Sequence, residues 1–378
     1  FTDALDSRFN SKAIQLTAAI STLIVSMFYL IPQMVGAGTL VEPLLGLDHW
    51  VGVVIVGAVV IFIVATAGMT STTYVQFIKG GLLIIFSTVL TIYILNNGLN
   101  TTPEHKNQEF IQPMTLTAGD MQGFTEVSSV EVNELSMVKM EKDGIFRWFS
   151  KNGESFEEAM TVTKTSDGRR LFNGAPKEEG KFYQVGTLES IVADGEEVES
   201  TGGLGPFKFL STINSSEMAR YVKVLYDDGT DEVTAYVKEV TPGKEMLIPG
   251  LKFKIGKGAT PLSKLNFISL MLALFLGTAS LPHILIRYYT VPNQRDARKS
   301  TIVAIAAIGF FYVLTMFMGL GAASNGVLNM EDGNMSAPLM AKAFGIGLFA
   351  IISAIAFATI LGTVSGLIVA SSGAIAHD

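Results

Sequence analysis

The sequence predicts an all-α polytopic membrane protein of six transmembrane helices with a polar, β-rich domain inserted on the extracytoplasmic side. Three observations predict it. Apolar runs of membrane-spanning length recur at roughly 13–35, 50–67, 80–96, 265–286, 301–322 and 344–374. Charge is segregated: the 378 residues are 49% hydrophobic and 16% charged, yet 19 of the 27 Lys and Arg and 26 of the 34 Asp and Glu lie between Thr101 and Lys264. The short loops are also asymmetric. Arg8, Lys12, Lys79, Arg287, Arg295, Arg298 and Lys299 fall on one side and only Lys342 on the other. By the positive-inside bias this places Phe1, a turn at 68–79 and the 287–300 loop in the cytoplasm, and the insert outside.

Residues 1–96 open with a polar lead-in, FTDALDSRFNSK, and continue as three membrane helices. The apolar run begins without a leader segment before it, and Asp378 follows directly on another, so the expectation is an internal piece of a longer membrane protein. Residues 97–264 change character. Asp143-Gly144, Asn152-Gly153, Asp167-Gly168, Asn173-Gly174, Asp194-Gly195 and Asp228-Gly229 supply the positive φ that tight hairpin turns require. Alternating stretches such as 220–226 (RYVKVLY) and 232–239 (EVTAYVKE) lie among them, which predicts an antiparallel domain of hairpins. Glu196, Glu197 and Glu199 read as a solvated loop rather than a calcium site. No partner for this insert is written in its residues.

Residues 265–378 supply three more membrane helices. In the first of these, Gly277, Thr278, Ser280 and Pro282 follow one another closely. Proline lacks an N–H and clashes with the carbonyl four residues back, so a kink or opening is expected between Asn266 and Thr278. Irregular backbone at membrane depth marks either a transport path or a packing kink, and the segment alone leaves both open.

Several classes are excluded. The net charge of −7 belongs to the insert, and no basic stripe with interleaved aromatics is present, which argues against nucleic-acid partners. There are no cysteines. No nucleophile triad or phosphate loop occurs, and the four histidines, His49, His105, His283 and His377, are scattered. The reading is not that of an enzyme.

Three stretches then carry a resemblance. They are YLIPQMVGAGTLVEPLLGL (29–47), AGMTSTTYVQFIKGGLL (67–83), and GTASLPHILIRYYTVPNQRDARKS (277–300) with AFATILGTVSGLIVASSGAIAHD (356–378). Together they resemble the sodium:solute symporter family, most closely its cation/acetate, or monocarboxylate, branch. The resemblance implies a LeuT-type fold of two inverted repeats. Residues 1–96 would be core helices three to five, 97–264 an extracytoplasmic insert, and 265–378 core helices six to eight. It also implies sodium-coupled symport of acetate or a similar short monocarboxylate across a bacterial inner membrane. Proline, a sugar or a larger organic acid are the alternative solutes, and a symporter-like sensor is the alternative class.

The resemblance assigns site residues too. The co-transported Na⁺ would be held by Thr359, Gly362 and Thr363, at offsets that share one helix face. Thr359 would lend a carbonyl and Thr363 a hydroxyl; Gly362 departs from the serine many relatives carry. Neutral Gln76 stands where other branches have Asp, which favours one cation per substrate. No span holds an interior charge, and that favours sodium over protons. The small carboxylate would meet Gln33, Gly277, Thr278 and Ser280. Gly36 and Gly38 read as packing residues, His283 as a structural histidine, and Arg287, Arg295, Arg298 and Lys299 as topology anchors.

Overall fold

The computed structural model describes all residues except 1, 46, 106–112, 177–178, 181, 183–184, 230, 249–252, 254, 257 and 377–378. Phe1, His377 and Asp378, named above, lie outside the described residues. Contacts divide the chain into two units. One comprises Phe1–Tyr93, Gly250–Met318 and Gly345–Asp378; the other comprises Ile94–Pro249 and Gly319–Phe344.

The chain opens with α1 (Thr2–Phe9), α2 (Lys12–Leu45) and α3 (His49–Asn97). The turn expected at 68–79 is not there. α3 holds two candidate spans, His49–Thr66 and Thr73–Asn97, end to end in one helix. The reason is local: 67–79 contains no proline or asparagine, and Tyr74–Lys79 are all helix-compatible, so nothing forces a stop. α3 does end at Gly98, where φ is +69° and the N–H bonds the carbonyl of Ile94 at 3.0 Å.

The second unit is built on strands β1 (Thr115–Thr117), β2 (Thr125–Val132), β3 (Leu135–Lys142), β4 (Ile145–Asn152), β5 (Ser155–Lys164), β6 (Arg170–Phe172), β7 (Val185–Ala193) and β8 (Glu196–Val198). A short helix α4 (Pro206–Ser215) leads to the long hairpin of β9 (Glu217–Asp228) and β10 (Asp231–Pro242), closed by α5 (Gly243–Met246). β2 to β5 form a meander. Asp143-Gly144 turns β3 into β4 with both residues at positive φ, 54° and 78°, and Asp194-Gly195 does the same between β7 and β8. Side chains alternate across the strands. Met137, Trp148, Val224, Tyr226, Val233, Ala235 and Val237 fill one core, with the Trp148 and Tyr226 rings edge to face at 4.9 Å. Val138, Met140, Phe149 and Phe156 fill another, so β3 and β4 are covered on both faces.

Next come α6 (Pro261–Ala279), α7 (Pro282–Leu285) and, after a 3₁₀ turn, α8 (Gln294–Ser324). The break expected between Asn266 and Thr278 falls later. α6 runs intact through Ala279, and the chain turns at Ser280 and extended Leu281 (φ −59°, ψ 118°). Pro282 therefore starts a new helix instead of kinking the old one. Its missing N–H costs nothing at the first helical position, and it pushes the residue before it out of the helical region.

α8 leads straight into a strand, β11 (Asn325–Leu328), followed by α9 (Ser336–Phe344) and α10 (Ile346–Ala376). β11 pairs with β7, completing an eleven-stranded sheet in the order β11-β7-β9-β10-β5-β4-β3-β2, with β1 and β6 on β5 and β8 on β7. The all-α class does not hold. The chain contains an eleven-stranded antiparallel sheet, because the Asx-Gly turns close real hairpins and a loop between two membrane helices adds a strand of its own. Six helices are long and apolar enough to cross a membrane: Lys12–Val41, His49–Thr66, Thr73–Asn97, Pro261–Thr290, Gln294–Ser324 and Ile346–Ala376. Their hydroxyls mostly return to their own backbone, as in Thr17 to Ala13 (2.7 Å), Thr88 to Ile84 (2.7 Å) and Thr278 to Leu274 (2.6 Å). That satisfies them where water is lacking.

Candidate functional site

Small residues bring α2, α3 and α10 together. A Cβ on Gly38 would lie 2.5 Å from Nε2 of His49, whose ring meets the carbonyl of Val35 at 3.2 Å. A Cβ on Gly52 would lie 2.8 Å from that of Val41. Gly38 is thus a packing residue, as its sequence context suggested. Behind this contact Ala37, Val56, Val60 and Val364 form a small buried core.

The middle of α10 then presents a strip of carbonyls that each carry a second hydrogen bond. Thr359 Oγ1 donates to Ile355 O at 2.8 Å, Lys79 Nζ to Ala358 O at 2.9 Å, and Thr363 Oγ1 to Thr359 O at 3.1 Å. Gly362 O accepts from Gln76 Nε2 and from Ser365 Oγ at 2.9 Å. The four carbonyls stand at i, i+3, i+4 and i+7, which is one helix face. Besides its place in the helix ladder, each of the first three accepts from one side chain, and Gly362 O accepts from two. Neutral oxygens of this kind are what a hard cation takes as ligands. Among the described residues there is no group of three or more His, Asp and Glu that would hold a metal ion.

The predicted cation residues fall on this strip, Thr359 and Thr363 joined by a hydrogen bond and Gly362 facing α3. Two of the residues singled out in the sequence, Gly362 and Gln76, meet here. A Cβ on Gly362 would lie 3.0 Å from Cγ of Gln76, so the glycine makes room for the glutamine that bonds its carbonyl. Sequence reasoning missed Lys79. It was assigned to a loop, but it lies within α3 and its ammonium reaches the middle of α10. Among the described residues no carboxylate pairs with it. Gln76 and Lys79 are three apart and share a helix face, but nothing in the sequence says which helix that face meets.

Two of the four predicted substrate residues come together. Gly277 and Ser280, with Leu281 and Pro282, line a cavity of about 570 Å³. Its other wall is α1 and α2, including Thr17, Ser21, Thr22 and Val25, so it is apolar with a few hydroxyls. Thr278 and Gln33 are not among its lining residues; Thr278 is exposed and Gln33 half-buried. Beside Pro282, His283 is buried with its ring 5.3 Å from that of Tyr29. Arg287 donates from Nε to the carbonyl of His283 at 3.1 Å, and a Cβ on Gly366 would lie 2.8 Å from its Nη2. Arg287 is therefore packed against α10 rather than free in a loop.

Comparison with known proteins completes the picture. The profile described as "Sodium:solute symporter family" matches residues 1–140 and 219–378. The chain is 31% identical over 383 residues to a Bacillus subtilis (strain 168) protein named "Uncharacterized symporter YwcA". It is 31% identical over 386 residues to the "Monocarboxylic acid transporter" of Corynebacterium glutamicum. Each match covers 100% of this chain and 48% of the relative, so the chain spans about half the length of the curated relatives it matches. No solved structure matches.

Proposed function

The chain belongs to the sodium:solute symporter family and is a multi-pass membrane protein, and on that premise we propose that it serves sodium-coupled symport of acetate or a similar short monocarboxylate. In this reading the protein moves its solute by alternating access and transforms nothing. Residues 1–96 are core helices three to five of a LeuT-type inverted repeat, 97–264 an extracytoplasmic insert, and 265–378 core helices six to eight, in a bacterial plasma membrane.

The observation that carries the reading is the carbonyl strip of α10. Thr359, Gly362 and Thr363 offer neutral oxygens on one face, opposite neutral Gln76 where a carboxylate would bring a second cation. One sodium per substrate follows. The substrate is assigned to Gln33, Gly277, Thr278 and Ser280. An apolar cavity with sparse hydroxyls beside Gly277 and Ser280 suits a short aliphatic acid better than a polyhydroxylated sugar. A relative named as a monocarboxylic acid transporter supports the same solute class.

The test is labelled-acetate uptake by the full-length transporter in proteoliposomes, under an imposed sodium or proton gradient. Sodium-driven uptake is expected in the wild type, with loss of at least about tenfold in Thr363→Ala, the scale of one coordinating group worth ~1.4 kcal/mol. Uptake driven by protons alone and indifferent to Thr363 removes the sodium site. No acetate uptake under either gradient sends the reading to proline, a sugar, a larger organic acid, or a sensor.

A further inference from the structure

The carbonyl strip already holds a cation of the protein's own. Lys79 Nζ sits 2.9 Å from Ala358 O, and the neighbouring carbonyls of Ile355, Thr359 and Gly362 are each taken by another donor. These second bonds are of two kinds. The Thr359 and Thr363 hydroxyls belong to α10 itself and rotate away at little cost. Gln76 and Lys79 reach across from α3, and Lys79 alone brings a full positive charge. Lysine has three donors and no acceptor, so it competes for the same oxygens a metal cation would take. It does so at Ala358, near the middle of α10, without a paired carboxylate among the described residues.

We propose that Lys79 is a tethered cation: its ammonium holds the α10 carbonyls while the co-transported ion is away, and that ion binds only by displacing it. This rests on the reading of Thr359, Gly362 and Thr363 as the cation site. The consequence is a transporter whose emptied site is not left as bare oxygens facing one another. Lys79 sets the apparent affinity for the ion, and so the concentration at which coupling begins.

The experiment measures sodium binding at equilibrium, as the sodium-dependent rise in unfolding temperature of the full-length protein in detergent, with no gradient and no substrate. Wild type is compared with Lys79→Gln, Lys79→Arg and Thr363→Ala. With the competitor removed, Lys79→Gln is expected to bind sodium with a half-saturating concentration at least about fivefold lower, the low end of typical coupling. Lys79→Arg, which keeps the charge, is expected not to tighten. Thr363→Ala should lose the response. If the wild type responds and Lys79→Gln responds at the same concentration, Lys79 is an anchor only, and the sodium site stands without it. A silent wild type with a responsive Lys79→Gln supports the tethered cation and overturns sodium coupling of the natural protein. Silence in both overturns the two readings together. Should Lys79→Gln fail to fold, Lys79→Met is titrated in its place.

Discussion

The two units of this chain solve opposite problems with the same alphabet. In the β unit, Phe149 is 0% exposed and its neighbours Val138, Met140 and Phe156 close around it. In α6, Phe275 is 74% exposed, and no side chain described from Pro261 to Leu276 is buried. The β unit hides apolar groups from water and is stabilised by doing so. A membrane helix has no such incentive, since lipid is as apolar as its side chains. Its specificity comes instead from small residues and polar contacts: Gly38 under His49, Gly52 against Val41, Gly362 under Gln76. Large side chains therefore determine stability in one unit, while glycines and backbone oxygens determine geometry in the other.

The largest effect should come from the β unit. Phe149→Ala is expected to cost about 3–5 kcal/mol, against less than about 0.5 kcal/mol for Phe275→Ala. Guanidinium unfolding followed by circular dichroism reads both; comparable losses would erase the distinction between the units. A smaller effect probes the membrane unit. Gly362→Ala should destabilise by about 1–2 kcal/mol because the new methyl meets Gln76. The loss should shrink by about 1 kcal/mol in a Gln76→Ala background. A double-mutant cycle on thermal stability in detergent checks this, and strict additivity would mean that Gly362 and Gln76 are not coupled.

The smallest effect is at the β surface. The Thr165 hydroxyl and the Arg169 N–H groups hold the exposed Asp167 carboxyl down at about 2. A carboxylate depressed in the folded state contributes fully above its unfolded value of 3.8, and that contribution is lost as pH falls through about 2. Asp167→Asn should lower stability slightly at pH 7 and flatten the acid limb, so that the variant and the wild type converge as pH falls through about 2. An acid titration followed by circular dichroism decides it.

These contrasts also explain what the sequence made legible. Six spans and a hairpin domain are written in composition and in Asx-Gly pairs, because hydropathy and positive φ are properties of single positions. The strip on α10 was half legible, since Thr359 and Thr363 lie four residues apart on one helix. Its other half was not. Gln76 and Lys79 lie far from α10 in sequence, and no periodicity announces which helix they will meet. The same is true of the wall that Thr17, Ser21 and Thr22 add opposite Gly277. Pro282 was read by its most disruptive habit and took its mildest one, at the start of a helix. Asn325–Leu328 gave no strand signal because its partner β7 supplies the register.

That last strand gives the molecule a clock. β7 emerges from the ribosome long before β11, and the whole of α6, α7 and α8 is made in between. At ordinary rates of synthesis the delay is on the order of ten seconds. Throughout it the Val185–Thr187 edge offers unpaired backbone groups to any passing strand. Its closure by β11 waits for α8 to be delivered. The sheet is therefore complete only once the fifth candidate membrane span has been made.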